Sequence, residues 1–408
     1  MQIAMLYQTY QAYEDLSRPY RNIASSIVAA LCAPPGLLAN TTLSRLSAAN
    51  ELLALSGLTH QAPRFGIDAV AIRGEQVGVE EKAVHVTPFC TLLRFRAAPA
   101  GKRPRVLVIA PMSGHFATLL RGTVKVLLQD HEVYITDWHN PRDVSLEHGR
   151  FGVGEYVEHV IKFIETLGEG AHVMAVCQPT VAALAAVALM AADDHPLQPR
   201  SMTLMAGPID TRVNPTKVNE LAKSKPIEWF ENTLIATVPE RFPGARRRVY
   251  PGFVQLSAFM NMNLERHINA FVDLYHYRVQ GDTEKAEAIR TFYEEYFATM
   301  DLQAEFFIET VSTIFQKHAL PLGELELLGR KIEPRAIRKT ALLTIEGERD
   351  DICAIGQTVA AQDLCSGLPP SRKNHHVQTG VGHYGVFNGK RWENEIYPQV
   401  RDMIHMLS

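Results

Sequence analysis

Three observations predict an α/β protein built on a doubly wound, mainly parallel sheet, with a helical cap inserted late in the sheet. Short, fully apolar runs alternate with longer helical stretches from Val106 to Met205, the pattern of strands buried on both faces. The alternation stops after Gly207-Pro208-Ile209-Asp210 and resumes only at Ala341-Leu342-Leu343-Thr344-Ile345. The chain has 408 residues, 46% hydrophobic and 21% charged. That length and composition suit one large core with insertions and argue against disorder.

Taken in order, residues 1–64 read as an N-terminal helical extension. Tyr7, Tyr10 and Leu16 with Ile23, Ile27 and Leu31 keep helical spacing, Pro34-Pro35-Gly36 breaks the helix, and Asn40-Thr41-Thr42 caps a second one. The core is expected over 65–210 and 340–408. Val84, Val86, Phe89, Leu92, Leu93 and Phe95 predict a strand pair before Gly101. Strands follow at Val106–Ile109, Val133–Thr136, Val173–Val176 and Met202–Met205. Helices are expected at Phe116–Leu128, Gly154–Leu167 and Thr180–Ala192. Residues 211–339 read as a helical cap, studded with Trp229-Phe230, Phe292-Tyr293, Tyr296-Phe297 and Phe306-Phe307. These pairs suit core packing, with some free to line an acyl-chain groove. His375–Gln378 predicts a last strand.

A net charge of -3 supplies no field to recruit nucleic acid. The N-terminus has no basic start and apolar stretch of a signal peptide, and the longest apolar run, Val181 to Ala192, is too short for a membrane span of ~20 residues. A soluble, cytoplasmic protein is therefore expected. The five cysteines, at 32, 90, 177, 353 and 365, form neither a disulfide framework nor a C-x-x-C metal pair, which fits a reducing compartment. His375-His376 has no ligand partner at useful spacing, so no metal is expected. No phosphate-binding glycine loop follows a strand. Arg246-Arg247-Arg248 reads as a solvated turn.

The chemistry concentrates at three strand ends. Ala175-Val176-Cys177-Gln178-Pro179 follows a buried strand and opens a helix. A sharp turn there thrusts one side chain outward, as in a G-x-S-x-G nucleophile elbow, here with Cys177 in place of serine. Proline suits a first helical turn, and a helix N-terminus favours thiolate. Gly347-Glu348-Arg349-Asp350-Asp351-Ile352 places a carboxylate after the resumed strand; Asp350 is the candidate acid and Asp351 the neighbouring alternative. Gly380-Val381-Gly382-His383-Tyr384-Gly385 places a histidine in a glycine-rich loop after the last strand. Nucleophile, acid and histidine then stand in the order of an α/β-hydrolase. The backbone N–H groups of Gln178 and of Met112, with Ser113 next, are the expected oxyanion donors. Ser113 is also a rival nucleophile, weakened because it follows the strand that normally supplies the oxyanion loop.

The elbow, Asp137-Trp138-His139-Asn140-Pro141-Arg142-Asp143, Glu346-Gly347-Glu348-Arg349-Asp350-Asp351-Ile352-Cys353 and Gly382-His383-Tyr384-Gly385-Val386-Phe387 resemble the intracellular poly(3-hydroxyalkanoate) depolymerases. Leu6-Tyr7-Gln8-Thr9-Tyr10 and Thr87-Pro88-Phe89 are similar too, so the resemblance spans nearly the whole chain. It implies an α/β-hydrolase that attacks poly(3-hydroxybutyrate) granules or oligomers inside bacteria, with Cys177 as nucleophile, Asp350 as acid and His383 as base. It implies no metal or bound cofactor, although coenzyme A could replace water as acyl acceptor. Storage-polymer synthases also use a cysteine elbow, usually with the flanking glycines that Ala175 and Pro179 replace. Polymerisation is thus the alternative activity, and a granule-binding homologue without activity is the non-enzymatic one. Oligomeric state is left open.

Overall fold

The computed structural model describes residues 2–33, 40–97 and 103–408. The Pro34-Pro35-Gly36 break and Gly101 lie outside the described residues. Helix α1 (Gln2–Cys32) contains Pro19 within its length, and α2 (Thr41–Leu55) is capped by the Asn40 side chain, which accepts from the N–H groups of Thr42 and Leu43. The sheet then begins with three antiparallel strands, β1 (Ala69–Ile72), β2 (Glu75–Val86) and β3 (Cys90–Ala97). It continues with β4 (Arg105–Ile109), β5 (Glu132–Trp138), β6 (His172–Val176) and β7 (Ser201–Met205).

Between these strands run α3 (Arg121–Leu127), α4 (Val153–Leu167) and α5 (Thr180–Ala192). Every residue of β6 and β7 is buried, because layers cover both faces of the sheet. Helix α4 has one apolar face, with Tyr156, Val157, Val160, Phe163, Ile164 and Leu167 buried. Helix α5 is apolar almost all round and buried from Thr180 to Met190, as a helix enclosed within a core must be.

The segment expected to be a helical cap carries more than helices. It holds α6 (Lys217–Ser224), α7 (Ile227–Leu234), α8 (Gly252–Met262), α9 (Leu264–Gln280) and α10 (Thr283–Tyr296). It also forms a three-stranded antiparallel sheet from β8 (Ala236–Thr237), β9 (Arg248–Tyr250) and β10 (Leu302–Gln303), and a hairpin, β11 (Glu326–Leu327) with β12 (Arg330–Lys331). The central sheet closes with β13 (Ala341–Gly347) and β14 (Lys373–Gln378). Its order is β1-β2-β3-β5-β4-β6-β7-β13-β14, parallel from β5 to β14. This large, mostly parallel sheet with flanking helices is the α/β-hydrolase fold. Its parallel strands all end at one edge, where ligands of open α/β sheets bind.

Two expectations fail locally. Leu16 and Ile23 of α1 face solvent, 70% and 58% exposed, while Gln11 and Glu14 are buried. The helix packs through Tyr7 and Tyr10, whose rings lie against Phe253, and through polar contacts: Arg142 donates to Gln11, and the Tyr7 hydroxyl donates to Asp301 Oδ2 at 2.6 Å. The arginine triplet is not simply solvated either. Arg247 is buried and donates to the carbonyls of Val144, Ser145 and Gly149, whereas Arg246 and Arg248 pair with Glu240 and Glu231 at the surface.

Asp301 is enclosed, and among the described residues only the Tyr7 hydroxyl and the Gly252 N–H donate to its side chain. Tyr7→Phe should therefore destabilise the chain by about 1–3 kcal/mol, the cost of stranding a buried acceptor. Chemical denaturation checks this, and an unchanged transition would show that the bond does not anchor α1.

Candidate active site

Strand β6 delivers its last residue, Val176, opposite Met205 of β7, and the Cys177 N–H still bonds to the Met205 carbonyl at 2.8 Å. The chain then turns abruptly. Cys177 adopts φ +67°, a left-handed conformation that a side-chain-bearing residue holds only under the constraint of its surroundings. Pro179 follows in helical conformation and α5 starts at Thr180. The flanking glycines of the usual motif are not needed here: Ala175 is accommodated wholly buried within the strand. Close approach is instead met at Gly207, where an added Cβ would lie 1.9 Å from Thr180 Oγ1.

Asp350 stands just beyond β13, three residues past Gly347. Its Oδ1 accepts from the N–H groups of Ile352 and Cys353, at 2.9 and 2.8 Å, which folds the acidic turn around the carboxylate. Its Oδ2 lies 2.7 Å from His383 Nδ1. The neighbouring Asp351 is exposed and points into a cavity, so the structure pairs His383 with Asp350. His383 opens a short turn beyond β14 and is buried, with Tyr384 and Phe387 edge-on to its ring.

The electrostatics couple these groups. The Cys353 thiol hydrogen-bonds to the Cys177 sulfur, and the His383 imidazole adds charge and a second hydrogen bond; together they outweigh burial and bring Cys177 down to about 5. Burial opposes charge on His383, but the Cys177 sulfur and the Asp350 carboxylate hold its pKa well above the ordinary imidazole value. Cys353 is pushed the other way, up, by the same contact with Cys177 and by burial. A thiol drawn down in this way favours its thiolate, the form of cysteine that acts as a nucleophile.

Ile109 of β4 lies opposite Ala175 of β6, so the chain beyond each strand leaves from the same sheet edge. Met112 is buried in the first of these loops. Among the described residues, the N–H groups of Met112, Ser113 and Gln178 donate to no backbone carbonyl. The Ser113 hydroxyl makes no side-chain hydrogen bond among the described residues; the nearby His115 is held low, to about 4, by burial, and its ring packs beside Tyr296 and Phe259.

Sequence reasoning left Cys353 without a role. The available signal was its position three residues after Asp350, on the turn that the carboxylate itself closes. A cavity of about 580 Å³ separates the acid and histidine loops from α8–α10 and reaches the reacting centre at His383 and Tyr384. Of the cap aromatics, Tyr293, Tyr296 and Phe297 are buried, while Phe292 lines this cavity half-exposed. No group of three or more His, Cys, Asp or Glu side chains converges as metal ligands among the described residues. No described helix is long and apolar enough to cross a membrane.

Residues 206–408 match the family described as PHB de-polymerase C-terminus. That stretch contains Asp350, Cys353 and His383 and begins downstream of Cys177. No curated protein matches the chain. Similar solved structures include a candidate lipase from Acinetobacter baumannii AYE, with TM-score 0.46 and 13% identity over 80% of this chain and 93% of that one. Another is 2-hydroxy-6-oxo-6-phenylhexa-2,4-dienoate hydrolase from Rhodococcus sp. strain RHA1, with TM-score 0.41 and 14% identity over 81% and 99%. A third is a meta-cleavage product hydrolase from Pseudomonas fluorescens IP01, with TM-score 0.42 and 16% identity over 83% and 98%.

Alkylation of Cys177 by iodoacetamide, followed site by site by mass spectrometry, should stay fast as pH falls and decline only near pH 5. Cys353→Ala and His383→Ala should each move that inflection upward. An inflection in the ordinary thiol range for the unaltered protein would contradict the thiolate assignment.

Proposed function

Because residues 206–408 match the family described as PHB de-polymerase C-terminus, we propose that this chain hydrolyses poly(3-hydroxybutyrate) inside the cell through a cysteinyl acyl-enzyme. The observation that carries the reading is Cys177 at its left-handed turn with the His383–Asp350 pair facing its sulfur.

The Cys177 thiolate attacks an ester carbonyl of the polymer, and the oxyanion is received by the N–H groups of Gln178 and Met112. Collapse breaks the ester C–O bond. The departing alkoxide takes its proton from His383, leaving a thioester on Cys177. His383, again neutral and oriented by Asp350, draws a proton from water as it attacks the thioester. The acid is released and the thiolate returns. Coenzyme A can take the place of water, since a thioester exchanges readily with a thiol. The core over 65–210 and 340–408 supplies all the reacting groups. The segment 211–339 acts as a cap over them, and residues 1–64 brace the cap through α2 and α9, where Arg278 holds Glu51 with two hydrogen bonds.

Cys177→Ala should reduce release of 3-hydroxybutyrate from amorphous granules by at least a thousand-fold, on the order of other single-member triad losses, with the fold retained by circular dichroism. Near-normal release would sink the nucleophile assignment. Running the same assay with coenzyme A, and separately supplying 3-hydroxybutyryl-CoA to look for polymer, distinguishes hydrolysis, thiolysis and synthesis by product.

A further inference from the structure

The cavity beside His383 carries unbalanced positive charge. Arg266 projects into it from α9 and Arg349 from the acidic turn, and both are exposed. Several other arginines of the inserted segment are paired with acids: Arg278 with Glu51 and Glu287, Arg290 with Glu294, Arg248 with Glu231. Among the described residues Arg266 and Arg349 have no such partner, although Asp351 lines the same cavity. The rest of the wall is largely aromatic, with Phe259, Phe292, Tyr296 and Tyr384. Burial pushes the Tyr296 phenol up to about 12 and the Tyr384 phenol higher, and the Arg266 charge opposes both. His383 and Tyr384 line the same cavity as Arg266 and Arg349, so the two guanidiniums share one space with the histidine of the candidate site.

An oligomer of a hydroxyalkanoate is a row of neutral esters with a hydroxyl at one end and a single carboxylate at the other. The carboxylate is the only charge that two unpaired guanidiniums can read on such a chain, and guanidinium is shaped to take it with two hydrogen bonds. The volume is that of a small-molecule site, suited to a chain end. Resting on the esterase reading above, we propose that Arg266 and Arg349 bind the terminal carboxylate of a hydroxyalkanoate oligomer, on the leaving-group side of the ester that Cys177 attacks. Attack then breaks the ester C–O bond. The fragment carrying the carboxylate departs as an alkoxide, protonated by His383, while the hydroxyl-ended remainder stays as the thioester.

The test is binding of the linear 3-hydroxybutyrate trimer and of its methyl ester to the full-length Cys177→Ala protein, by calorimetry at low salt. The free acid should bind about five-fold tighter than the ester, the upper end for an exposed ion pair. That preference should shrink when Arg266→Gln or Arg349→Gln is added, vanish with both, and fade as salt rises. Arg266→Lys should retain part of it, separating a charge effect from a misfolded variant. Equal binding of acid and ester, binding of neither, or a preference unmoved by the double substitution would overturn the proposal. A preserved preference in a protein whose unaltered form cleaves neither compound would sink the esterase reading and leave the carboxylate site standing.

Discussion

Asp350 uses both oxygens of one carboxylate for different tasks, and the site depends on that division. One oxygen closes the turn by accepting the N–H groups of Ile352 and Cys353; the other holds the His383 ring. The two partners so fixed are the groups that draw the Cys177 thiol down. The carboxylate therefore acts on the sulfur twice, once through an imidazole and once through a thiol, without touching it. A turn that merely placed an acid near a histidine would leave Cys353 unplaced, and its thiol could not donate to the sulfur.

That arrangement rests on strand direction. The strands β4, β6, β13 and β14 run parallel in one sheet, so the loops carrying Met112, Cys177, Asp350 and His383 all issue from the same edge. The inserted segment then closes over that edge. Its position is held by contacts remote in sequence from the chemistry: Tyr7 to Asp301 beneath α1, and Arg278 to Glu51 between α9 and α2. Burial supplies low-dielectric surroundings in which charges on Cys177 and His383 act on one another strongly.

Much of this was legible because it is local or repetitive. Strands buried on both faces declare themselves as runs such as Val173–Val176, and the order of Cys177, Asp350 and His383 follows from three short motifs at strand ends. The inward face of α1 was legible in part: Tyr7 and Tyr10 pack on Phe253, whereas Leu16 and Ile23 of the same periodic set lie in solvent, and the buried Gln11 and Glu14 make polar pairs that no apolar period records. The small strands of the insertion are two or three residues long, too short to carry a period. Whether Asp350 or Asp351 meets His383 was a matter of one residue of register, settled only by the turn. Cys353 and Arg266 sit by Cys177 and Tyr384 through folding across long sequence separations, which no local pattern records.

Those separations have a consequence for how the chain is made. During synthesis Cys177 emerges long before Cys353 and His383, and the groups that depress its pKa arrive only with the last strands. Chains emerge and fold from the N-terminus at about 5–20 residues per second. For that interval the nascent chain bears an ordinary, mostly protonated thiol at residue 177. The groups that lower the pKa of Cys177 therefore reach it only with the last two strands of the sheet, and a chain that lacked β13 and β14 would carry an ordinary thiol there.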